Sequence, residues 1–217
     1  MVNLLIKELK IGVSPFFYAL PFLTGALMLI PGWLYFLVLL YFCFITVPNM
    51  FGGYKSHNDL MFTSMLPVTK KDIVKARVLF LVILEMLHLV IAMIYGMISV
   101  RLYPDMVYYF FSPTFGFWGL NFVMLAIFNL IFIPMYYKTA YKYGAASVAS
   151  ITAAILFAGG AEWLGIQNPH VHDLFKGAGA DNPVIQLSLL LAGIVIFALF
   201  TLIAYDRANK RFEKVEL

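Results

Sequence analysis

Glu85 and His88 lie within a long apolar stretch of this sequence, where a carboxyl and an imidazole could transfer a proton or line a polar path. Because they are three residues apart, they share one face of a helix. If that helix crosses a membrane, a charge at this depth costs at least ~2.5–3.5 kcal/mol and must face a partner or water. Two interpretations stay open: a polar patch on a path or subunit interface, and a Glu–His pair satisfied inside the fold with a neutral carboxyl.

A second group, His170, His172 and Asp173, carries side chains that could bind zinc. Its spacing matches no established zinc site, and no fourth ligand is obvious. The sequence also lacks the pattern G-x-x-x-x-G-K-[ST] for phosphate binding, and the hydrolase patterns H-E-x-x-H and G-x-S-x-G. We therefore predict no catalytic residues, metal or cofactor in this chain; a membrane enzyme using either group is the weaker alternative.

The composition predicts an all-α integral membrane protein. Hydrophobic residues make up 63% of the 217 residues, charged residues make up 12%, and the mean hydropathy is +0.89. Soluble domains average about 25% charged residues, so an ordinary globular protein is excluded. Runs of about 20 apolar residues, each long enough to cross a membrane, recur along the chain.

These runs predict one transmembrane domain over residues 1–217 with six spans. The first span is the weakest, because it is short and contains or adjoins Pro15 and Pro21. The segment 165–183 is the longest connection on the outer side and could dip back into the membrane. The predicted spans are 15–30, 33–51, 78–100, 113–136, 145–164 and 184–205.

Residues 1–13 have helical periodicity with a polar and an apolar side. This pattern predicts an amphipathic helix at the membrane interface, with Lys7 and Lys10 directed toward anionic headgroups. The alternative is that residues 1–13 continue the first span into the cytoplasm; Pro15 favours a bend between the two.

The distribution of Lys and Arg predicts the orientation. With a cytoplasmic N-terminus, thirteen of the fifteen basic residues lie inside, and only Arg101 and Lys176 lie outside. Such an asymmetry is the positive-inside signal, so we expect both termini in the cytoplasm. The net charge of +4 is then a consequence of topology and gives no argument for nucleic acid. Cys43, the only cysteine, lies in the second predicted span and excludes intramolecular disulfides.

Two features of the later spans predict helix packing. Asn121 and Asn129 in the fourth span can form hydrogen bonds across helices. In the fifth span small residues recur every fourth position, so a neighbouring helix can approach one face closely. These small residues are Ala146, Ser150, Ala154 and Ala158.

Residues 54–77 form the longest polar interruption on the predicted cytoplasmic side. The first half is short and is stopped by Pro67. In the second half, Thr69 can accept a hydrogen bond from the first turn of a new helix, and Asp72 follows three residues later, as in a capping box. That helix would continue directly into the apolar run from Val78. A short surface element joined to a spanning helix suits a part that receives force from a soluble partner; an ordinary surface loop is the alternative.

Residues 64–77, SMLPVTKKDIVKAR, resemble the signature S-x-L-P-[VI]-[ST]-[RK]-x-x-[IV]-V-x-[AS]-[RK] of type-2 ABC exporter permeases. The resemblance is strongest to small bacterial permeases that export antimicrobial or cytolytic peptides, such as the phenol-soluble modulin exporters. The remainder of the chain agrees in layout. This resemblance implies a multi-pass protein of the bacterial cell membrane.

The resemblance also implies roles for particular residues. The stretch 59–69 would include the coupling helix, which sits in a groove of a separately encoded ATPase that binds ATP and Mg, with Phe62, Met65 and Leu66 as its apolar contacts. Lys70, Lys71 and Asp72 would lie at the rim or begin the third span. The residues assigned to coupling are Asp59, Phe62, Met65, Leu66, Pro67, Thr69, Lys70, Lys71 and Asp72.

The working unit implied by the resemblance has two permease chains, identical or different, and two ATPases. Its cargo would be a hydrophobic or amphipathic peptide. A membrane immunity or regulatory protein that transports nothing is the alternative from a different functional class.

Overall fold

The computed structural model of the protein describes residues 2–175 and 182–215. In these ranges the chain forms helices and connecting turns, without a strand. The helices are α1 (Val2–Ile11), α2 (Phe16–Gly25), α3 (Phe36–Tyr41), α4 (Val47–Ser56), α5 (Asp59–Ser64), α6 (Lys70–Leu102), α7 (Phe115–Tyr136), α8 (Gly144–Gln167), α9 (Pro169–Phe175) and α10 (Pro183–Phe212).

Five helical stretches in the described ranges are long and apolar enough to cross a membrane. One of them combines α3 and α4, which a π-helical turn at Phe42–Thr46 joins. The prediction of an all-α integral membrane protein is confirmed. The five stretches, which overlap the last five predicted spans, are Phe36–Ser56, Lys70–Leu102, Phe115–Tyr136, Gly144–Gln167 and Pro183–Phe212.

The first predicted span corresponds to a shorter apolar helix. The 10 residues of α2 continue into a 3₁₀ turn of 4 residues, Ala26–Leu29. At about 1.5 and 2.0 Å per residue this stretch is about 23 Å long, less than a hydrocarbon core of about 30 Å. Pro21 lies inside α2, and residues 12–15 separate α2 from α1, as expected for a bend near Pro15. A sixth crossing therefore stays a prediction.

Helix α7 lies at the centre of the bundle and packs along α10. The two backbones touch where Gly119 faces Gly193. A Cβ added to Gly119 would lie 2.3 Å from the Leu189 carbonyl oxygen, and one added to Gly193 would lie 2.2 Å from the Gly119 carbonyl oxygen. Only glycine permits this approach, so α7 and α10 are held together as a pair.

The small face predicted for the fifth span is confirmed on α8. Its four small residues are at most 5% exposed, and α8 packs on α7. Glu162 continues the same face one turn later, and its Oε2 accepts the backbone N–H of Phe111 at 3.2 Å. The Glu162 carboxylate therefore attaches the C-terminal end of α8 to the loop that precedes α7.

The predicted outer segment folds partly as α9 against the end of the bundle. Phe175 stacks on Phe111 with 4.3 Å between ring centroids, and the Leu174 carbonyl accepts a hydrogen bond from Gln186 of α10. Residues 176–181 of the segment 165–183 lie outside the described ranges. Re-entry into the membrane stays a prediction.

The opposite end of the bundle, here called the basic end, gathers α1, α5 and the start of α6 beside the ends of α7 and α10. Lys70 donates a hydrogen bond to the Val215 carbonyl at 2.7 Å, and Arg211 donates one to the Pro134 carbonyl at 2.7 Å. The segment 54–77 and the two terminal helices, α1 and α10, thus meet at one end, as the sequence predicted.

Candidate coupling site and intramembrane polar cluster

The predicted coupling residues form an exposed element at the basic end. Asn58, in the left-handed region with φ of 49°, turns the chain from α4 into α5. The apolar residues on α5 and the turn after it face outward, with exposures between 38% and 71%. They form one apolar patch made of Met61, Phe62, Met65 and Leu66. Pro67, Thr69 and Lys71 are also exposed, whereas Lys70 and Asp72 are half-buried.

The predicted cap at the start of α6 is confirmed. Thr69 Oγ1 accepts the backbone N–H of Asp72 at 3.1 Å, and the Thr69 hydroxyl donates to Asp72 Oδ2 at 2.6 Å. The helix then runs without interruption for 33 residues from Lys70 to Leu102. Only the five residues 65–69 separate α5 from this helix, so α5 lies next to the N-terminal end of one long continuous helix.

Four charged side chains, here called the ionic cluster, hold α5 against α1 and α6. Asp59 pairs with both Arg77 and Lys7. Glu8 lies 3.6 Å from Arg77 and 3.4 Å from Lys7. Two positive and two negative charges balance, which compensates for taking them out of water. The sequence predicted that Lys7 points toward lipid headgroups. That prediction is wrong, because the Glu8 and Asp59 carboxylates bind Lys7 inside the fold.

Arg77 is the centre of the ionic cluster and is only 1% exposed. Its guanidinium lies 4.0 Å from the ring centroid of Tyr54 on α4, a cation–π contact. It also donates a hydrogen bond of 3.4 Å to the Tyr136 hydroxyl on α7. The Tyr54 hydroxyl in turn donates to Glu8. One arginine thus connects α5 to four other helices.

Glu8, Tyr54 and Tyr136 are the functional candidates that the sequence reasoning missed. Glu8 is the only acidic residue in α1, and its burial at 2% sets it apart from the lysines beside it. The sequence signal that could have identified Glu8 is that it is a single acidic residue between two lysines, Lys7 and Lys10. Its partners lie 46 and 69 positions away, at Tyr54 and Arg77, and no local pattern identifies them.

The intramembrane carboxyl at Glu85 is bound across helices, but not by His88. Glu85 Oε2 accepts a hydrogen bond from Asn129 Nδ2 at 3.0 Å, and the same amide lies 3.4 Å from Thr201 Oγ1. Glu85, Asn129 and Thr201, here called the polar cluster, therefore link α6, α7 and α10. His88 Nδ1 lies 2.9 Å from its own helix carbonyl at Leu84. Of the two interpretations from the sequence, the Glu–His pair is therefore not formed among the described residues, because Glu85 bonds Asn129 and His88 contacts its own helix.

The two predicted packing amides behave differently. Asn129 bonds across helices, whereas Asn121 donates to the Phe117 carbonyl of its own helix at 2.9 Å. Both side chains are fully buried. The amide nitrogen of Asn121 is therefore bound by the preceding turn of its own helix, a common local alternative for asparagine.

The zinc candidates lie together on α9. His172 Nδ1 is 4.0 Å from Asp173 Oδ1, and His170 is exposed. Across residues 2–175 and 182–215, no three His, Cys, Asp or Glu side chains are grouped as a metal would require.

The family model described as ABC-2 family transporter protein matches residues 3–210 of this chain. The chain belongs to the ABC-2 transporter family. It is a permease, the membrane component of an ABC transporter as distinct from its ATPase, and the family implies an ATPase partner in general. No curated protein and no solved structure matches the permease.

Proposed function

We propose that this permease exports amphipathic peptides, driven by a separate ATPase that docks on the coupling segment, residues 59–69. The observation that carries the proposal is the exposed apolar patch on an element fixed to the bundle by buried charges. An apolar patch exposed to water is stabilised when a partner protein covers it, whereas an apolar face in contact with lipid is already in an apolar environment. The basic end, where this patch lies, is also the end that the positive-inside signal assigns to the cytoplasm.

Force passes from the docked ATPase to the spans through the ionic cluster. Asp59 stands in the first turn of α5, and Arg77 stands in the third turn of α6. Breaking a buried ion pair costs about 3–5 kcal/mol, so α5 and α6 move as one body when the ATPases close. Closure then shifts the permease between inward-open and outward-open states, as a ligand shifts any two-state equilibrium.

The working unit contains two permease chains. The five or six spans of one chain enclose little space, and the most apolar stretches of α8 and α10 are the least buried among the long helices described, at 28% and 22%. Their outer faces are therefore available to lipid or to a second chain. The peptide cargo is supported by the resemblance of residues 64–77 to permeases of peptide exporters.

The test replaces Met65, the most exposed residue of the patch, with aspartate. We expect Met65→Asp to remove the ATPase from the purified complex and abolish peptide efflux, because a charge in an apolar interface must be desolvated. Met65→Leu is the matched control and should retain both. Membrane insertion of both variants is checked by fractionation. Normal efflux in Met65→Asp would overturn the coupling role, and efflux of lipid with no efflux of peptide would overturn the cargo.

A further inference from the structure

A groove of about 400 Å³ lies on the membrane-facing side between α6 and α10. We propose that it binds one acyl chain of an anionic phospholipid, whose headgroup pairs with Lys75. The site concerns lipid binding and does not depend on transport. Its walls are Lys75, Val78, Leu79 and Val82 of α6, and Phe197, Ala198, Thr201, Leu202 and Tyr205 of α10.

The groove is polar at one end and apolar along its depth. Helices α6 and α10 run in opposite directions, so Lys75 and Tyr205 both lie toward the basic end. Val82 and Phe197 lie seven and eight residues further into the bundle, about 10–12 Å deeper. A charged mouth followed by an apolar slot matches a lipid with its headgroup at the membrane surface.

The Lys75 ammonium is available to a headgroup. Lys75 is exposed and has no ion-pair partner within 4 Å in the part of the chain described. The nearest acidic residue on its own helix, Asp72, is hydrogen-bonded to Thr69. On α10, Asp206 follows Tyr205 and is paired with Lys210 at 2.7 Å.

The size and lining of the groove suit a single lipid chain. It has a volume of about 400 Å³ and a mostly apolar wall, and each buried methylene of an alkyl chain adds to the binding. The Lys75 ammonium at the mouth favours a lipid with an anionic headgroup over an uncharged helix of a second permease chain.

The base of the groove contains one polar group that is already bound. Thr201 is 8% exposed and accepts a hydrogen bond from Asn129 of the polar cluster. Its hydroxyl proton can still donate to an ester oxygen of the lipid. The groove thus borders the polar cluster, so a bound lipid lies next to the contact that joins α6 to α7 and α10.

The experiment measures lipids that remain bound to the purified permease by native mass spectrometry, with phosphatidylglycerol and phosphatidylcholine offered in equal amounts. Lys75→Gln removes the charge, and Lys71→Gln is its matched control outside the groove. Ala198→Trp fills the groove, and Ala192→Trp, at another exposed alanine of α10, is its control.

We expect the wild type to retain one phosphatidylglycerol per chain. Lys75→Gln should lower the preference for phosphatidylglycerol about fivefold. Ala198→Trp should remove both lipids, and both controls should resemble the wild type. Equal preference in Lys75→Gln and Lys71→Gln, or full lipid retention in Ala198→Trp, would overturn the site. Loss of a permease dimer in Ala198→Trp with lipid retention unchanged would assign the groove to a second chain instead.

Discussion

Replacing Arg77 with glutamine tests whether the ionic cluster holds the coupling segment in place. The substitution removes one of two positive charges and leaves Asp59 and Glu8 with Lys7 alone. Loss of one partner from a buried ion pair costs about 3–5 kcal/mol. Because Lys7 still touches both carboxylates, we expect the lower end of that range, about 3 kcal/mol of unfolding free energy.

The assay is unfolding of the permease in mild detergent by titration with dodecyl sulfate, followed by tryptophan fluorescence. Arg211→Gln is the control, since Arg211 is exposed and donates one hydrogen bond to the Pro134 carbonyl. Its loss should cost no more than about 1.5 kcal/mol. A double-mutant cycle of Arg77→Gln with Asp59→Asn should show coupling well above 0.5 kcal/mol, the usual limit of additivity.

Two results would refute this reasoning. The first is an additive cycle, which would mean that Asp59 and Arg77 do not interact in the folded permease. The second is an Arg77→Gln variant no less stable than Arg211→Gln, which would mean that Lys7 or water replaces the guanidinium at no cost. Arg77→Lys should be intermediate, because an ammonium cannot contact Asp59, Tyr54 and Tyr136 with the fork geometry of arginine.

Substitutions at three further contacts, with their controls, test the cap, the glycine contact and the polar cluster. Thr69→Ala should speed amide hydrogen exchange in the first turn of α6 about fivefold, because the cap contributes about 1 kcal/mol; unchanged exchange would contradict the cap. Gly119→Leu should prevent stable folding, because the new Cβ would lie 2.3 Å from the Leu189 carbonyl oxygen. Gly159→Leu is the control and should be tolerated, since no atom lies within 4 Å of a Cβ at that position. Thermal stability in detergent is the measurement that separates the two variants. Glu85→Leu should destabilise the permease by about 1–3 kcal/mol, because the Asn129 amide keeps only its longer hydrogen bond to Thr201. Glu85→Gln should cost less, since it keeps an acceptor, and equal losses in the same unfolding assay would argue against the hydrogen bond to Glu85.

The parts of the structure that the sequence predicted correctly depend on short spacings. The Thr69 cap is a relation between residues three apart, and the small face of α8 repeats every fourth residue, so both follow from helix geometry alone. Membrane class follows from composition. Each of these properties belongs to one helix.

The parts that the sequence did not predict depend on partners that are distant in the chain. Glu85 was paired with His88 because they share a helix face, yet its partner Asn129 is 44 positions away. Arg77 meets Asp59 and Glu8 only after α1, α5 and α6 have packed together. Periodicity identifies which face of a helix is polar, but the choice of partner is made by tertiary packing.

Under the proposed mechanism, the ionic cluster and the Gly119–Gly193 contact each hold together one of two parts of the permease that move against each other. The ionic cluster fixes α5 and α1 to α6, and the Gly119–Gly193 contact fixes α7 to α10. In the intramembrane part of α6, the polar cluster joins the part made of α1, α5 and α6 to the part made of α7 and α10. Its shortest hydrogen bond is the 3.0 Å bond from Asn129 to Glu85. Removing one partner of this hydrogen bond costs about 1–3 kcal/mol, less than the about 3–5 kcal/mol for removing one partner from the ionic cluster. Under the proposed mechanism a push on α5 therefore breaks the polar cluster before the ionic cluster, and the interface between α6 and the α7–α10 pair is where the bundle opens.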